Sequence, residues 1–426
     1  MKEGGATAPA LVEHSFRHEY GRLVSRLSRA FGFYRTELVE DAVQGSLMAA
    51  LRAWPKSGLP EQPAAWLYRV AKNNLIDELR RSEQRNESID TQRDGESGGD
   101  EFADSSVEQE EAYFEAEFAD DELRMLFVCA DEAIPVESQL VLALKILCGF
   151  STREIALRLL TSEENVQKRL ARGRARLRQL GPSFETPSLP SLQTRRETVL
   201  RIVYLLFNEG YSSTLPDRLI RRELCDEAVR LGHLLAAHSR CSCPEGDALL
   251  ALMYLHAARF DARLDGNGGL LLLEEQDRSK WDRQLIQRGV AWLQRSGRGE
   301  VFSRYHAEAA VAVEHCIAPS YAETNWREIV DLYETLERLA PSPLHALNRA
   351  IALAEWQGPE AGLAVLRVIK PPSWLSGYYL WDATLGELER RAGNMEPARR
   401  YLQRALEAAP HPAEKGLLQR RLAACQ

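Results

Sequence analysis

The residues best suited to chemistry lie between Trp66 and Arg81, where Tyr68, Arg69, Lys72, Asn73 and Asn74 are followed by Arg80 and Arg81. Guanidinium and ammonium groups neutralise phosphate, an aromatic ring stacks on an unpaired base, and a carboxamide offers both donors and an acceptor to a base edge. A second run, Lys168, Arg169, Arg172, Arg174, Arg176 and Arg178, contains no Asp or Glu between Asn165 and Leu180. That run suits a helix lying along a nucleic-acid groove. Two further constellations have weaker chemistry. His238, Cys241 and Cys243, with His233 and Cys225 nearby, offer metal-ligand atoms, but C-x-C is tighter than common structural zinc spacing and no second cysteine pair follows. The stretch Glu274 to Asp282 is dense in charge and includes Trp281, yet no consistent partner set for acid–base or metal chemistry accompanies it. No metal or other cofactor is expected. No Walker A loop, G-x-G-x-x-G or G-x-S-x-G is present, so no enzyme is predicted.

The elements that position these residues read as helices. Leu67, Val70, Ala71, Leu75 and Leu79 recur at i, i+3, i+4, i+8 and i+12, one apolar stripe that leaves the aromatic, basic and amide side chains on the other face. Upstream, Leu11, Phe16, Tyr20, Leu23, Val24 and Leu27 suggest a first helix. Residues 37 to 53 suggest a second, with Leu38, Ala42, Leu47, Ala50 and Leu51 inward; Pro55, Gly58, Pro60 and Pro63 punctuate the loop after it. Residues 123 to 180 read as four helices. Leu123, Leu126, Phe127 and Ala130 mark the first, Pro135 opens the second and Gly149 ends it, and Ser151 or Thr152 caps a short third from Thr152 to Leu160. A tight turn then leads to the basic helix Glu163 to Leu180. Gly173 within it costs roughly 1 kcal/mol relative to Ala. The fold class is all-α, with the domains 1–85, an acidic flexible linker 86–120, 121–180, a proline-containing linker 181–192, and 193–426.

Residues 82 to 122 hold sixteen Asp or Glu against two Arg, which reads as a solubilising spacer, with Tyr113, Phe114 and Phe118 near a helix start. Net charge over the 426 residues is −8, so nucleic-acid binding rests on how charge is distributed and not on its sum. No apolar run approaches the ~20 residues of a membrane span. The N-terminus lacks a signal-peptide core, and seven scattered cysteines fit reduced thiols, so a cytoplasmic protein is expected.

The order and spacing of these blocks resemble bacterial extracytoplasmic-function sigma factors. Trp66-Leu67-Tyr68-Arg69, Ala71, Asn73, Asp77, Arg80 and Arg81 look like the promoter-melting regions 2.3 and 2.4. Val39 to Gln44 and Ala50 to Pro55 look like region 2.2, and the stretch Gly149 to Leu177 follows the spacing of region 4.2. The resemblance implies two partners, core RNA polymerase and promoter DNA. It implies −10 contacts at Tyr68, Arg69, Lys72, Asn73, Asn74, Arg80 and Arg81, with Asn73 at the position that holds a flipped base. It implies −35 contacts at Thr152, Gln167, Lys168, Arg169, Ala171, Arg172, Arg174 and Arg176, and polymerase contacts at Asp41, Gln44 and Trp54. In that family the linker runs through polymerase channels, where an acidic segment can imitate RNA phosphate. An acidic linker shielding the basic helix in the free protein is a further expectation.

The last 234 residues, 193 to 426, read as helical, including Thr198 to Phe207, Arg218 to Ala237, Gly246 to Arg259, Arg278 to Leu293, His306 to His315 and Trp326 to Leu339. Leu385-Gly386, Gly393, Ala398, Leu402, Ala405 and Pro410 follow the tetratricopeptide template, and a looser copy has its Gly358 35 residues before Gly393. Stacked repeats expose a concave surface, so a protein regulator is an expected partner. This region resembles the extension of one sigma subgroup with a TPR-like domain, through LLFNEGYS (Leu205 to Ser212), LCDEAVRL (Leu224 to Leu231), LEEQDRSKWD (Leu273 to Asp282) and Pro341 to Glu355. A regulatory contact of Asp277, Arg278, Trp281 and Asp282 with the sigma domains or polymerase is expected from it. Two other classes stay open at this point: a helix-turn-helix regulator that works without polymerase, and a repeat-based interaction scaffold.

Overall fold

The computed structural model describes residues 8–87, 121–159, 161–180, 189–213, 219–239, 241–266, 268–369 and 378–425. The expected linkers fall largely outside these ranges, as do Tyr113, Phe114 and Phe118. Apart from one isolated bridge between Leu264 and Leu270, the described secondary structure is helical. No described helix is long and apolar enough to cross a membrane. The chain divides into two compact units, Met1–Leu206 and Phe207–Gln426.

The first unit begins with α1 (Ala8–Phe31), α2 (Thr36–Ser57) and α3 (Pro63–Glu87). Leu23, Val24 and Leu27 of α1, Val39, Val43 and Leu47 of α2, and Leu67, Ala71 and Leu75 of α3 form their shared core. Two expectations for α2 are corrected. It runs through Pro55 and ends at Gly58, whose φ is 82°. A proline three residues from a helix end removes only one ladder bond there, so the glycine and not the proline ends the helix. Leu51 does not pack inward, being 40% exposed.

Residues 121–129 form α4, followed by α5 (Val136–Ile146), α6 (Thr152–Arg158) and α7 (Glu163–Leu180). Gly149, with φ 64°, makes the left-handed turn after α5. Ser151 caps α6 in a full capping box: its Oγ accepts from Glu154 N at 3.2 Å, and Glu154 Oε2 accepts from Ser151 N at 2.7 Å. Ser162 Oγ accepts from Asn165 N at 3.2 Å and starts α7. Gly173 is where α7 meets α5: a Cβ there would stand 3.4 Å from the Leu142 methyls, ordinary contact. Gly173→Ala therefore fits, and is expected to gain up to about 1 kcal/mol in helix propensity, read as a higher unfolding midpoint with unchanged denaturant slope.

The helix α8 (Leu189–Tyr211) follows. Its first half packs on the α4–α5 corner, where Arg195 donates to Phe127 O at 3.0 Å and Asp131 Oδ2 at 2.8 Å, and Thr198 Oγ1 donates to Gln139 Oε1 at 3.0 Å.

The second unit holds α9 (Arg222–Ala237), α10 (Pro244–Ala257), α11 (Arg283–Ser296), α12 (Arg304–Ile317) and α13 (Trp326–Leu339). Then come α14 (Pro343–Gln357), α15 (Pro359–Val368), α16 (Tyr379–Arg391), α17 (Met395–Ala408) and α18 (Pro412–Ala423). The expected helix from Arg278 to Leu293 is split. Asp282 Oδ1 accepts from Gln284 N and Leu285 N at 2.8 and 3.0 Å, starting α11 at Arg283, while 278–280 make a separate 3-10 turn. The pairs α14–α15 and α16–α17 turn at Gly358 and Gly393, with φ 97° and 83°. Leu347, Ala350 and Leu363 of the first pair share a core with Trp381, Leu385 and Leu388 of the second. Stacking of this kind buries faces that neither helix pair covers alone.

Candidate nucleic-acid interface

The α3 stripe splits the helix by chemistry. Leu67, Ala71 and Leu75 are fully buried. On the outer side Arg69, Asn73, Asn74, Arg80 and Arg81 are exposed, and Tyr68 and Lys72 are half-buried. The Arg26 guanidinium covers the Tyr68 ring at 4.5 Å from its centroid, fixing the ring while leaving part of it open. Exposed Asn73 keeps its carboxamide available for a base edge. Tyr68, Arg69, Lys72, Asn73 and Arg80 lie on the side away from the buried stripe, a cationic surface with a stacking ring and an amide, while Arg81 and Asn74 flank it, the Asn74 amide beside Gly45 of α2.

On α7 the eight expected contacts divide. Gln167, Lys168, Ala171 and Arg172 are exposed, while Arg169 and, on α6, Thr152 are half-buried. Lys168 Nζ is held by Glu164 at 2.6 Å, an exposed pair that competes little with phosphate. Arg174 points elsewhere. Arg174 donates to Glu40 Oε2 at 2.5 Å and Glu37 Oε1 at 3.2 Å on α2, and Arg178 Nη1 lies 3.4 Å from Glu37 Oε2. Arg176 Nε lies 4.0 Å from Asp131. In this arrangement Arg174 binds the protein's own carboxylates and does not face outward, while Arg176 stays partly exposed and donates to Gln179 Oε1 at 3.3 Å.

The contact between the two halves of this unit has further parts. Glu40 is 2% exposed and also accepts from Tyr20 Oη at 3.3 Å. Burial raises its carboxyl above the usual range, and Arg174 offsets part of that. Arg29 pairs with buried Asp121 at 2.9 Å and Arg22 lies 4.0 Å from buried Glu122, so the last two acids of the acidic stretch are structural. A Cβ on Gly21 would come 2.4 Å from Leu147 O, so α1 lies closer to the end of α5 than any other residue type allows.

On α2, Asp41 and Gln44 are exposed together with Met48 (50%) and Leu51 (40%), a mixed stripe at helical spacing. Periodicity alone counted Leu51 as core and did not single out Met48. Trp54 is 4% exposed and packs edge-on to Trp66 at 5.6 Å, so the structure places it in the core and not on that stripe.

The remaining candidates lie in the second unit. Asp277 caps the 3-10 turn by accepting from Ser279 N at 2.9 Å, Asp282 caps α11, and Trp281 is 4% exposed. Arg278 Nη1 donates to His315 O and Ala318 O at 2.6 and 2.8 Å. All four thus have structural places inside their own unit. Cys225, Cys241 and Cys243 are buried, and Cys243 Sγ accepts from Gly246 N at the start of α10. Among the described residues no group of three or more His, Cys, Asp or Glu could hold a metal ion.

Comparison with known proteins agrees with this geometry. Residues 16–85 match sigma-70 region 2, residues 125–177 match sigma-70 region 4, and residues 195–297 match DUF6596, a family of unknown function. An uncharacterized protein of Rhizobium meliloti (strain 1021) is 37% identical over 405 residues, 94% of each chain. The chain therefore belongs to the sigma-70 factors of extracytoplasmic-function type, in a form with a C-terminal helical extension, and directs promoter-specific transcription.

Proposed function

We propose that the protein joins core RNA polymerase through the exposed Asp41–Gln44–Met48–Leu51 stripe of α2. The outer face of α3 opens the −10 element, and the exposed face of α7 reads the −35 element. The observation that carries this is the division of α3: a dry stripe buried in its module, and opposite it Arg69 and Asn73 free in solvent beside a fixed Tyr68 ring. Asn73 receives the flipped base, for which unstacking costs a few kcal/mol. Arg80 and Arg81 hold the backbone.

The contact of Arg174 with Glu37 and Glu40 adds a requirement. The −10 and −35 elements are roughly 25 base pairs apart, on the order of 85 Å along the duplex. Two modules held by an ion pair of 2.5 Å cannot occupy both elements at once. Promoter engagement thus separates them, and polymerase binding provides the free energy for doing so. The extension modulates transcription through protein contacts made by its stacked helix pairs.

Permanganate footprinting tests the −10 assignment. Full-length protein with core polymerase is expected to make thymines near −10 reactive, and Asn73→Ala to suppress that reactivity while leaving polymerase binding intact. Equal reactivity for the variant would remove Asn73 from the assignment. The extension is tested by a chain ending after Tyr211, because ending at Leu180 would strip α8 from the α4–α5 corner.

A further inference from the structure

One face of α1 carries a row of arginines. Arg22, Arg26 and Arg29 stand at i, i+4 and i+7, so their side chains follow one another along the helix surface. The row meets α3 at its middle. There the half-buried Arg26 sets its guanidinium over the Tyr68 ring, 4.5 Å from the centroid, beside Arg69 and Asn73 on the outer face of α3. A guanidinium stacked by its plane keeps its N–H edge for a second partner, and that edge matches phosphate oxygens.

The two ends of the row are covered by the other module. Arg29 Nη1 lies 2.9 Å from Asp121 Oδ1, and Arg22 Nε lies 4.0 Å from Glu122 Oε2. Both acids open α4 and are buried, while the side chains of Arg29 and Arg22 stay 41% and 30% exposed. Arg22 also has a partner on its own helix, Glu19 at 3.4 Å. The interface is reciprocal, because Arg174 and Arg178 of α7 reach Glu37 of α2 at 3.2 and 3.4 Å. Each module thus sets carboxylates on arginines of the other. Separation of the modules, which the distance between the two promoter elements requires, carries Asp121 and Glu122 away with α4. Arg22 and Arg29 then stand without those acids, next to the face that receives a melted strand. Phosphate replaces a carboxylate on a guanidinium with the same charge-assisted hydrogen bonds, and the strand releases its condensed counterions.

We propose that the arginine row of α1 is a further nucleic-acid contact. Arg22, Arg26 and Arg29 hold backbone phosphates of the single strand that lies on the Tyr68–Asn73 face, and in the free protein Asp121 and Glu122 occupy the two outer guanidiniums in place of phosphate. The contact rests on the assignment of α3 to the −10 element and extends it onto a helix outside that assignment.

The salt dependence of open-complex formation tests it, with preformed holoenzyme of the full-length protein on the DNA upstream of its own coding sequence. Arg22→Gln/Arg29→Gln is combined with Asp121→Asn/Glu122→Gln, so that no buried acid loses its partner alone. The reference is the Asp121→Asn/Glu122→Gln protein, which keeps both arginines. Relative to it, the fourfold variant is expected to bind about tenfold more weakly near about 0.15 M salt, with a log–log salt slope smaller by about 1.4, the value for two single-strand phosphates. Arg22→Lys/Arg29→Lys keeps the charges and should keep the wild-type slope. Should the fourfold variant fail to fold, Arg26→Gln decides, because it leaves Asp121 and Glu122 with their partners; its slope is expected to fall by about 0.7. Wild-type opening together with an unchanged slope in the folded variant overturns the proposal and leaves the −10 assignment standing. No promoter opening by the wild-type holoenzyme removes the −10 assignment, and this proposal with it.

Discussion

Replacing both Tyr68 and Asn73 by alanine is expected to abolish measurable promoter opening while the protein continues to fold and to bind core polymerase. Each lost base contact costs about 1–3 kcal/mol, which is about 5- to 150-fold in discrimination, and loss of a stacking ring costs a similar amount per base. Asn73 is exposed and Tyr68 half-buried, and neither contributes to the Leu67–Ala71–Leu75 seam, so little stability is lost. The check is run-off yield alongside polymerase affinity. The double variant should lose the first by two orders of magnitude or more and keep the second within about twofold. Arg80→Ala should behave differently, weakening all sequences alike and reducing the salt slope by about one.

The second large effect concerns Arg174. Arg174→Ala leaves the buried Glu40 carboxylate without its guanidinium, and this is expected to cost about 3 kcal/mol at neutral pH. Glu40→Gln is expected to cost much less, because Arg174 keeps Glu37 as a partner and the desolvation penalty on Glu40 disappears. Burial already raises Glu40 above its unfolded value of 4.5. A group with a raised folded pKa contributes stability that is present below the unfolded pKa and lost as pH rises through the folded one. The Arg174→Ala deficit should therefore be small near pH 4.5 and grow as pH rises through the folded value of Glu40, now higher still without Arg174. Denaturant midpoints from about pH 5 to about pH 8 give the curve. A deficit that shrank with rising pH would contradict this account of the pair. Freed from Glu40, α7 in the Glu40→Gln protein is also expected to bind −35 duplex more tightly than wild type does.

The parts legible from sequence are those decided within a few residues. The α3 stripe follows from spacing alone, because a helix that buries Leu67, Ala71 and Leu75 must turn Arg69 and Asn73 outward. The Ser151–Glu154 cap and the glycine turns at 358 and 393 are equally local. Pairing over long separations was not legible. Nothing in a run of six cations says that Arg174 meets a carboxylate 134 residues earlier while Arg172 stays in solvent. Trp54 and Trp281 sit in motifs that suggest surface roles, and their burial depends on partners contributed by other elements, Trp66 for the first and Arg259 for the second. A cavity in the second unit is built from segments between residues 270 and 421, each of which reads singly as ordinary helix or loop. Leu51 shows the limit of periodicity: an apolar residue at a core-compatible spacing is left 40% exposed.

Run-off transcription with core RNA polymerase, on the DNA upstream of the protein's own coding sequence, tests the central claim most directly. Full-length protein is expected to yield a discrete transcript that core polymerase alone does not make, and the Tyr68→Ala/Asn73→Ala protein to yield none. The absence of a specific transcript, together with no binding to core polymerase, would contradict the account and leave α6 and α7 to be explained as a duplex-binding regulator.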